Sequence, residues 1–191
     1  MRDIELVKRL QQIDKPFYTI EDLEKITGLE RDSLYVTLNR LLKRGTLERI
    51  RRGIYLSSQS ALRLERISSQ LYFPAYLSFE SALARYGILD LIPYALTFAT
   101  TRKTKETVLL NRLVKYRQIK KELFFGFELQ DGIYVAEPEK AFLDMLYMVC
   151  LGKASLAVGG LDLRPMPKEK LQSYLERYPP SVAKKLKELN Q

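Results

Sequence analysis

The chain contains no histidine, and Cys150 is its single cysteine. The absence of histidine excludes Ser–His–Asp triads, HExxH metalloproteases and metal sites with histidine ligands. A single cysteine excludes both an internal disulfide and a cysteine-rich zinc site. Because Cys150 closes an apolar stretch, we expect it to pack rather than to act as a nucleophile. We therefore expect no cofactor and no resident metal.

Long apolar segments are also missing. The longest unbroken apolar run, Met145–Leu151, has seven residues, whereas a membrane-spanning helix needs about 20. The first residues lack the apolar core of a signal peptide. The sequence therefore predicts a reduced, cytoplasmic protein with no membrane partner.

The composition is ordinary, but the charge is not. The 191 residues carry a formal charge of +9, with a pI near 9.5, and a basic surface suggests a polyanionic partner. Residues 101–121 alone carry +7, and residues 122–160 carry −4. Polar and proline-rich breaks predict three regions: a first domain at 1–58, a second at 59–163 and a helical tail at 164–191.

Hydrophobic periodicity in the first domain predicts three helices. The first covers Asp3–Ile13 and ends at Lys15-Pro16. The second begins after Thr19, an N-cap with Asp22 in the capping-box position, and stops at Gly28. The third runs from Arg31 to Arg44, with a buried leucine stripe and a polar, partly basic outer face. Two helices joined by a tight glycine turn indicate a helix-turn-helix.

A short hairpin follows the third helix. Residues 46–50 and 54–56 have strand character, and the turn between them contains Arg51-Arg52-Gly53. A hairpin directly after a recognition helix is typical of a wing, so we predict a winged helix. Leu47 and Arg49 would face the same side of a regular strand, so the sequence leaves the register open unless the strand has a bulge.

The winged helix predicts double-stranded DNA as a partner. We expect Ser33, Thr37 and Arg40 at base edges and nearby phosphates, Arg31 at the phosphate rim, and the hairpin arginines on the backbone or in the minor groove. The same fold can also serve protein contacts alone. The candidate DNA-binding residues are Arg31, Ser33, Thr37, Arg40, Arg49, Arg51 and Arg52.

The rest of the chain alternates helical and strand patterns. Asp131-Gly132 between two apolar runs predicts a hairpin. Pro138 suits the first turn of a helix that continues from Glu139 to Leu151 and is apolar almost all round. Within it, Lys140 and Asp144 have the spacing of an ordinary ion pair. The predicted fold class is α+β: an N-terminal winged helix-turn-helix followed by a mixed α/β domain.

Five stretches of the chain carry a resemblance to a known family. The longest runs from Ala136 to Tyr147, AEPEKAFLDMLY. The others are Tyr76–Leu83 followed by Tyr86-Gly87, Thr100–Lys103, Tyr116–Ile119 and Leu123–Phe127. Together they resemble the AbiEi antitoxins of type IV toxin–antitoxin systems, which act in abortive infection, over roughly residues 5 to 150. Glu137 departs from the pattern, since a small or hydroxylated helix cap is expected there.

The resemblance implies a winged helix that represses its own operon by binding operator DNA. It also implies a C-terminal domain that neutralises a nucleotidyltransferase toxin, without needing to bind that toxin directly. The chain itself shows no nucleotidyltransferase Gly-Ser pair with paired aspartates. A stand-alone regulator of the same fold, without a toxin partner, remains an alternative. The chain could act as a monomer or as a homodimer.

Two further hypotheses concern the second domain. Cations between Arg102 and Lys121 could form a second surface for a polyanion, or a solvated face that protects strand edges. The other alternative is a metal-dependent nuclease, whose candidate residues are Asp90, Asp131, Glu137, Glu139, Lys140 and Asp144. The candidates for the second basic surface are Arg102, Lys103, Lys105, Lys115 and Arg117.

Overall fold

The computed structural model describes residues 3–13, 15–57, 64–156, 160–164 and 166–189. It divides the chain into two compact units, Met1–Ile67 and Ser68–Gln191. The division falls within helix α4, Leu64–Leu71. The domain boundary predicted between residues 58 and 59 lies outside the described residues.

The first unit is a winged helix. Its small sheet has the order β1-β3-β2, with both pairs antiparallel. Strand β1 has only two residues, which the sequence analysis did not assign to a strand. The elements are α1 (Asp3–Ile13), β1 (Tyr18–Thr19), α2 (Ile20–Thr27), α3 (Arg31–Lys43), β2 (Leu47–Arg51) and β3 (Ile54–Ser57).

Local sequence rules explain the helix ends in this unit. Thr19 accepts from the backbone N–H of Asp22, and the Asp22 carboxylate accepts from the backbone N–H of Thr19, so the predicted capping box is present. Gly28 ends α2 with φ of 67°, a left-handed conformation that suits glycine. The three-residue connection to α3 is therefore the tight turn of the predicted helix-turn-helix.

One core holds the three helices and the sheet together. Leu34, Leu38 and Leu41 form the buried side of α3, as the leucine stripe predicted. Tyr18 is buried with them and donates a hydrogen bond to the carbonyl of Leu10 at 2.5 Å. Because these leucines fix which side of α3 is inside, they also fix which side faces solvent.

The second unit contains a six-stranded mixed sheet with the order β6-β7-β5-β4-β9-β8. The β8–β9 turn has positive φ at Asp131 and Gly132, as the Asp-Gly signal predicted. The strands are β4 (Ala75–Leu77), β5 (Leu96–Thr100), β6 (Lys105–Leu109), β7 (Arg112–Gln118), β8 (Phe127–Gln130) and β9 (Ile133–Ala136).

Helices α5 (Phe79–Arg85) and α6 (Pro138–Cys150) pack against each other, and α6 is buried along most of its length. Helices α7 (Lys168–Leu175) and α8 (Pro180–Leu189) both pack on α6. Val182 and Leu186 of α8 are buried there. The residues predicted as a tail, 164–191, thus lie in the second compact unit, since their apolar side chains have a core to cover. The predicted fold class, a winged helix followed by a mixed α+β domain, is confirmed.

Candidate nucleic-acid interface

The solvent-facing side of α3 is polar and basic. Ser33 and Arg40 are exposed, and Thr37 is partly exposed at the margin. Val36, in the middle of this side, is 67% exposed. The structure thus places Ser33 and Arg40 on the exposed side of α3 and Thr37 at the margin of that side, as the helical periodicity required.

Asn39 and Lys43 belong to the same side of α3, although the sequence analysis did not select them as site residues. Both are exposed. With Val36, Arg40 and Arg44 they line an open depression of the surface. Their signal was present in the sequence, since residues three and four positions apart lie on one side of a helix. An asparagine can form a bidentate pair with adenine, and an apolar side chain can contact the thymine methyl group.

The hairpin β2–β3 carries three exposed arginines. Its register places Arg49 opposite Tyr55 and Arg51 opposite Ile54, so a bulge lies between the two arginines. Because Ile54 and Tyr55 are consecutive, their side chains project from opposite faces of the strand. Arg49 and Arg51 therefore project from opposite faces of the hairpin, and Arg52 lies in the turn. The three arginines share the tip of the hairpin but not a single face.

Charge is distributed unevenly within the first unit. Residues 31–52, which contain α3 and the β2 strand with its turn, hold seven cations and two acids. Residues 1–30 hold five cations and seven acids. The excess of positive charge in this unit thus lies on one exposed helix and one hairpin. This is the charge distribution expected of a phosphate-binding surface.

Arg31, one of the predicted DNA-binding residues, lies close to two acidic side chains of α2. Its guanidinium lies 3.4 Å from a Glu24 carboxylate oxygen and 3.8 Å from one of Glu21. The pKa of Glu21 lies below its usual value, mainly through a backbone hydrogen bond and one from Thr19, with a smaller contribution from Arg31. Arg31 therefore already has acidic partners on α2, and we expect a smaller role for it at a phosphate than for the hairpin arginines.

Two residues of the predicted second basic surface form ion pairs within the sheet unit. Arg117 forms two hydrogen bonds of 2.8 Å with the Glu80 carboxylate, and its side chain is only 17% exposed. Lys115 lies 3.0 Å from Glu106 on the neighbouring strand. Both cations are therefore paired with acidic neighbours: Arg117 in a largely buried pair, and Lys115 in a pair near the surface.

The other three residues of that surface remain near solvent. Arg102 and Lys105 lie over the ring of Tyr72, with their charged groups 4.2 and 5.2 Å from its centroid. Arg102 also donates to the Phe73 carbonyl at 3.2 Å. Lys103 is exposed beside them. These three cations therefore remain exposed at the beginning of β6.

Lys140 and Asp144 form the ion pair that their spacing predicted, but the pair is buried in the core rather than an ordinary one. Both side chains are fully buried and in contact. Asp144 also accepts hydrogen bonds from Tyr76 at 2.9 Å, Ser78 at 2.8 Å and Tyr178 at 2.8 Å. Burial lowers the pKa of Lys140, an effect that the Asp144 carboxylate opposes. The pair is the centre of a buried polar network that connects α6 to β4 and to Tyr178, in the segment between α7 and α8.

Glu137 occupies the N-cap of α6 but makes no side-chain cap. Its carboxylate accepts hydrogen bonds from Lys170, at 2.8 Å, and from Tyr174. Burial raises the pKa of Glu137, but these two hydrogen bonds outweigh burial and bring the pKa below its usual value. The residue that departs from the family pattern thus anchors α7 on α6 instead of capping the helix.

The proposed nuclease carboxylates do not converge on a metal site. Asp144 is enclosed by its hydrogen-bond partners, and Asp131 is exposed and paired with Arg85 at 3.0 Å. Among the described residues, no group of three or more acidic, cysteine or histidine side chains is arranged to hold a metal ion. In the same part of the chain, no helix is long and apolar enough to cross a membrane.

A comparison with protein families gives one match. Residues 5–58 match the family described as "Transcriptional regulator, AbiEi antitoxin". The matched segment contains most of α1, the helix-turn-helix and the hairpin, and the family is the one that the sequence motifs resemble. No curated protein matches the chain.

Proposed function

We propose that this chain, whose residues 5–58 match the family described as "Transcriptional regulator, AbiEi antitoxin", binds duplex DNA of its own operator and represses its own operon. The proposal rests on one observation about charge in the first unit. The exposed side of α3 and the tip of the hairpin are built from the single stretch of the first unit in which cations strongly outnumber acids. Repression follows because a protein bound at the promoter blocks access to it.

In this proposal α3 enters the major groove, which is wide enough to admit a helix. Ser33, Thr37 and Arg40 contact base edges and adjacent phosphates, and Asn39 adds a candidate adenine contact. Val36 provides an apolar surface for a thymine methyl group. The buried leucines hold this side of the helix outward, so the reading residues need no rearrangement to meet DNA.

The hairpin arginines contact the sugar-phosphate backbone or enter the neighbouring minor groove. Their placement on two faces supports contacts on both walls of a groove, with Arg49 towards one wall and Arg51 towards the other. Such contacts fix the register of the protein on the duplex but carry little sequence information. Recognition therefore depends on α3, and much of the affinity depends on the hairpin.

Fluorescence anisotropy with the DNA upstream of the coding region tests this assignment. Replacing Arg49, Arg51 and Arg52 together by alanine is expected to weaken binding about a hundredfold, because each charged contact contributes roughly 1 kcal/mol. A matched control replaces the exposed lysines Lys168, Lys184 and Lys187, which changes the net charge equally. Equal weakening by both triple variants would refute a specific role for the hairpin.

We also propose that the chain neutralises a nucleotidyltransferase toxin, with direct binding not required. The family assignment of the N-terminal domain supports this function. The test is to co-express the chain with a neighbouring nucleotidyltransferase gene from a promoter that the chain does not control. Rescue of growth by the wild-type chain supports the antitoxin function. The absence of such a neighbour, or of rescue, favours a stand-alone regulator.

We propose a binding role rather than a catalytic one. The scattered carboxylates of the described residues support it, since metal-assisted cleavage needs converging acidic ligands. Labelled operator DNA incubated with Mg²⁺ or Mn²⁺ should remain intact. Cleavage that is lost on replacing Glu139 by glutamine would contradict this proposal and support the nuclease alternative.

A further inference from the structure

The sheet of the second unit has two outer strands. In the described part of the chain, β6 and β8 each pair with one neighbour only. An outer strand presents a row of backbone donors and acceptors that can pair with another chain. Both strands also expose an apolar side chain, since Val108 of β6 is 63% exposed and Leu129 of β8 is 65% exposed. Neither strand shows the continuous charge that usually protects such an edge.

The two outer strands carry charge of opposite sign. Arg102, Lys103 and Lys105 lie at or just before β6, and the one acid of β6, Glu106, is paired with Lys115 of β7. The β8–β9 hairpin, residues 126–136, contains Glu128 and Asp131 and no cation. Asp131 is paired with Arg85 of α5, so the negative charge of this edge rests on Glu128. The β6 edge is therefore positive and the β8 edge carries a negative charge at Glu128.

The directions of the strands also allow the two outer edges to pair with each other. In the middle of the sheet, β4 is antiparallel to β5 and parallel to β9, and β5 is parallel to β7. At the two ends of the sheet, β6 is antiparallel to β7 and β8 is antiparallel to β9. It follows that β6 and β8 run in opposite directions. A second copy in the same orientation would therefore bring its β6 antiparallel to the β8 of the first copy, which is the more stable kind of pairing.

We propose that copies of this chain associate head to tail, with the β8 edge of one copy pairing with the β6 edge of the next. Pairing of two β8 edges across a two-fold axis would bring Glu128 near its own symmetry mate, and like charges oppose each other. Pairing of two β6 edges would bring no unpaired acid to Lys105, because Glu106 is already paired with Lys115. Head-to-tail pairing brings Lys105 near Glu128 instead. Such a contact is heterologous, so it builds rings or open rows rather than a closed dimer.

Sedimentation velocity of the full chain, from micromolar to sub-millimolar concentration, tests the proposal. The wild-type chain should associate with rising concentration, and added salt should weaken the association. Lys105→Glu and Glu128→Lys should each weaken it about fivefold, since a like-charge pair replaces an opposite-charge pair. Lys184→Glu, at an exposed position of α8, changes the net charge as Lys105→Glu does and should leave association unchanged.

Mixing the two charge variants gives the decisive result. In an equimolar mixture, the β6 edge of the Lys105→Glu variant meets the β8 edge of the Glu128→Lys variant with the two charges exchanged. The opposite contact keeps its natural charges, so association should return to the wild-type level. A wild-type chain that stays monomeric throughout would overturn the proposal. So would an unchanged association of Glu128→Lys alone, which indicates pairing of β6 edges. Loss of DNA affinity without loss of association in Lys105→Glu would likewise overturn it and assign this edge to nucleic acid.

Discussion

The two units of this chain differ in where they place positive charge. In the winged helix, Arg40 and Lys43 of α3 and the three arginines of the hairpin are exposed to solvent. In the sheet unit, Arg117 and Lys115 lie in ion pairs with Glu80 and Glu106, and Lys140 is fully buried against Asp144. The stretch with the highest charge in the sequence is thus partly neutralised within the fold. Charge density alone therefore does not identify a binding surface, whereas charge combined with exposure does.

The largest effect is expected where a charge is buried. Asp144→Ala leaves the Lys140 amine without its counter-ion and should lower the free energy of unfolding by about 3–5 kcal/mol. Asp131→Asn removes the charge of an exposed carboxylate paired with Arg85, keeps a side chain that tolerates the positive φ of this turn, and should cost less than about 1 kcal/mol. Urea denaturation of the full chain measures both. Similar losses in the two variants would remove the distinction between buried and exposed pairs.

Within the winged helix, α3 is expected to determine sequence preference, and the hairpin arginines are expected to contact the DNA backbone. Arg40→Ala should weaken binding to the operator by about 1–3 kcal/mol and leave binding to unrelated DNA almost unchanged. Arg51→Ala should weaken binding to both DNAs by the same factor. Anisotropy titrations with the two duplexes measure these affinities. If Arg51→Ala changed sequence preference and Arg40→Ala did not, the roles assigned to α3 and the hairpin would be reversed.

The contact between α7 and α6 predicts a dependence on alkaline pH. Burial and the hydrogen bond to Glu137 raise the pKa of Tyr174 to about 12, against about 10 in the unfolded chain. The stability that neutral Tyr174 contributes is therefore complete below pH 10 and is lost as the pH rises through about 12. Tyr174→Phe should flatten this decline by about 1 kcal/mol, because the ring is partly solvated.

Thermal unfolding followed between pH 8 and pH 11.5 measures that decline. Tyr94→Phe serves as the control, because Tyr94 is 87% exposed and can lose its hydroxyl without affecting packing. A Tyr174→Phe profile that superimposes on the wild type would show that this contact does not respond to pH.

The smallest effect is expected at Arg31. Its guanidinium already interacts with Glu21 and Glu24, and all three side chains are close to solvent. Arg31→Ala should therefore weaken operator binding by less than about threefold, compared with a larger loss for Arg51→Ala. A loss at Arg31 equal to that at Arg51 would mean that the internal ion pairs break when DNA binds.

Local rules predicted most of the first unit. The capping box at Thr19 and the left-handed Gly28 depend on residues within a few positions of each other, and the leucine stripe of α3 depends on helical periodicity alone. Strand β1 was missed because its two residues are defined by pairing with Ile54 and Tyr55, far along the chain. The bulge near the hairpin tip was anticipated as a possibility, but its position between Arg49 and Arg51 depends on tertiary pairing.

In the second unit, local sequence rules did not predict which charged side chains are buried. Lys140 and Asp144 have the same spacing whether they are exposed or buried, and their burial depends on Tyr76 and Tyr178, which are distant in sequence. One hint was available, since an ion pair within a helix that is apolar almost all round has no polar side to occupy. The ion pair of Arg117 with Glu80 likewise connects a strand to a helix 37 positions away.

The most direct test of the central claim is the salt dependence of operator binding. If α3 and the hairpin together neutralise about six phosphates, log K plotted against log salt should have a slope near −5. Replacing Arg49, Arg51 and Arg52 by alanine should reduce the slope to about −2.5, since each lost phosphate contact removes roughly 0.9. A slope that stays near −5 in the triple variant would contradict the claim that these exposed arginines contact the DNA backbone.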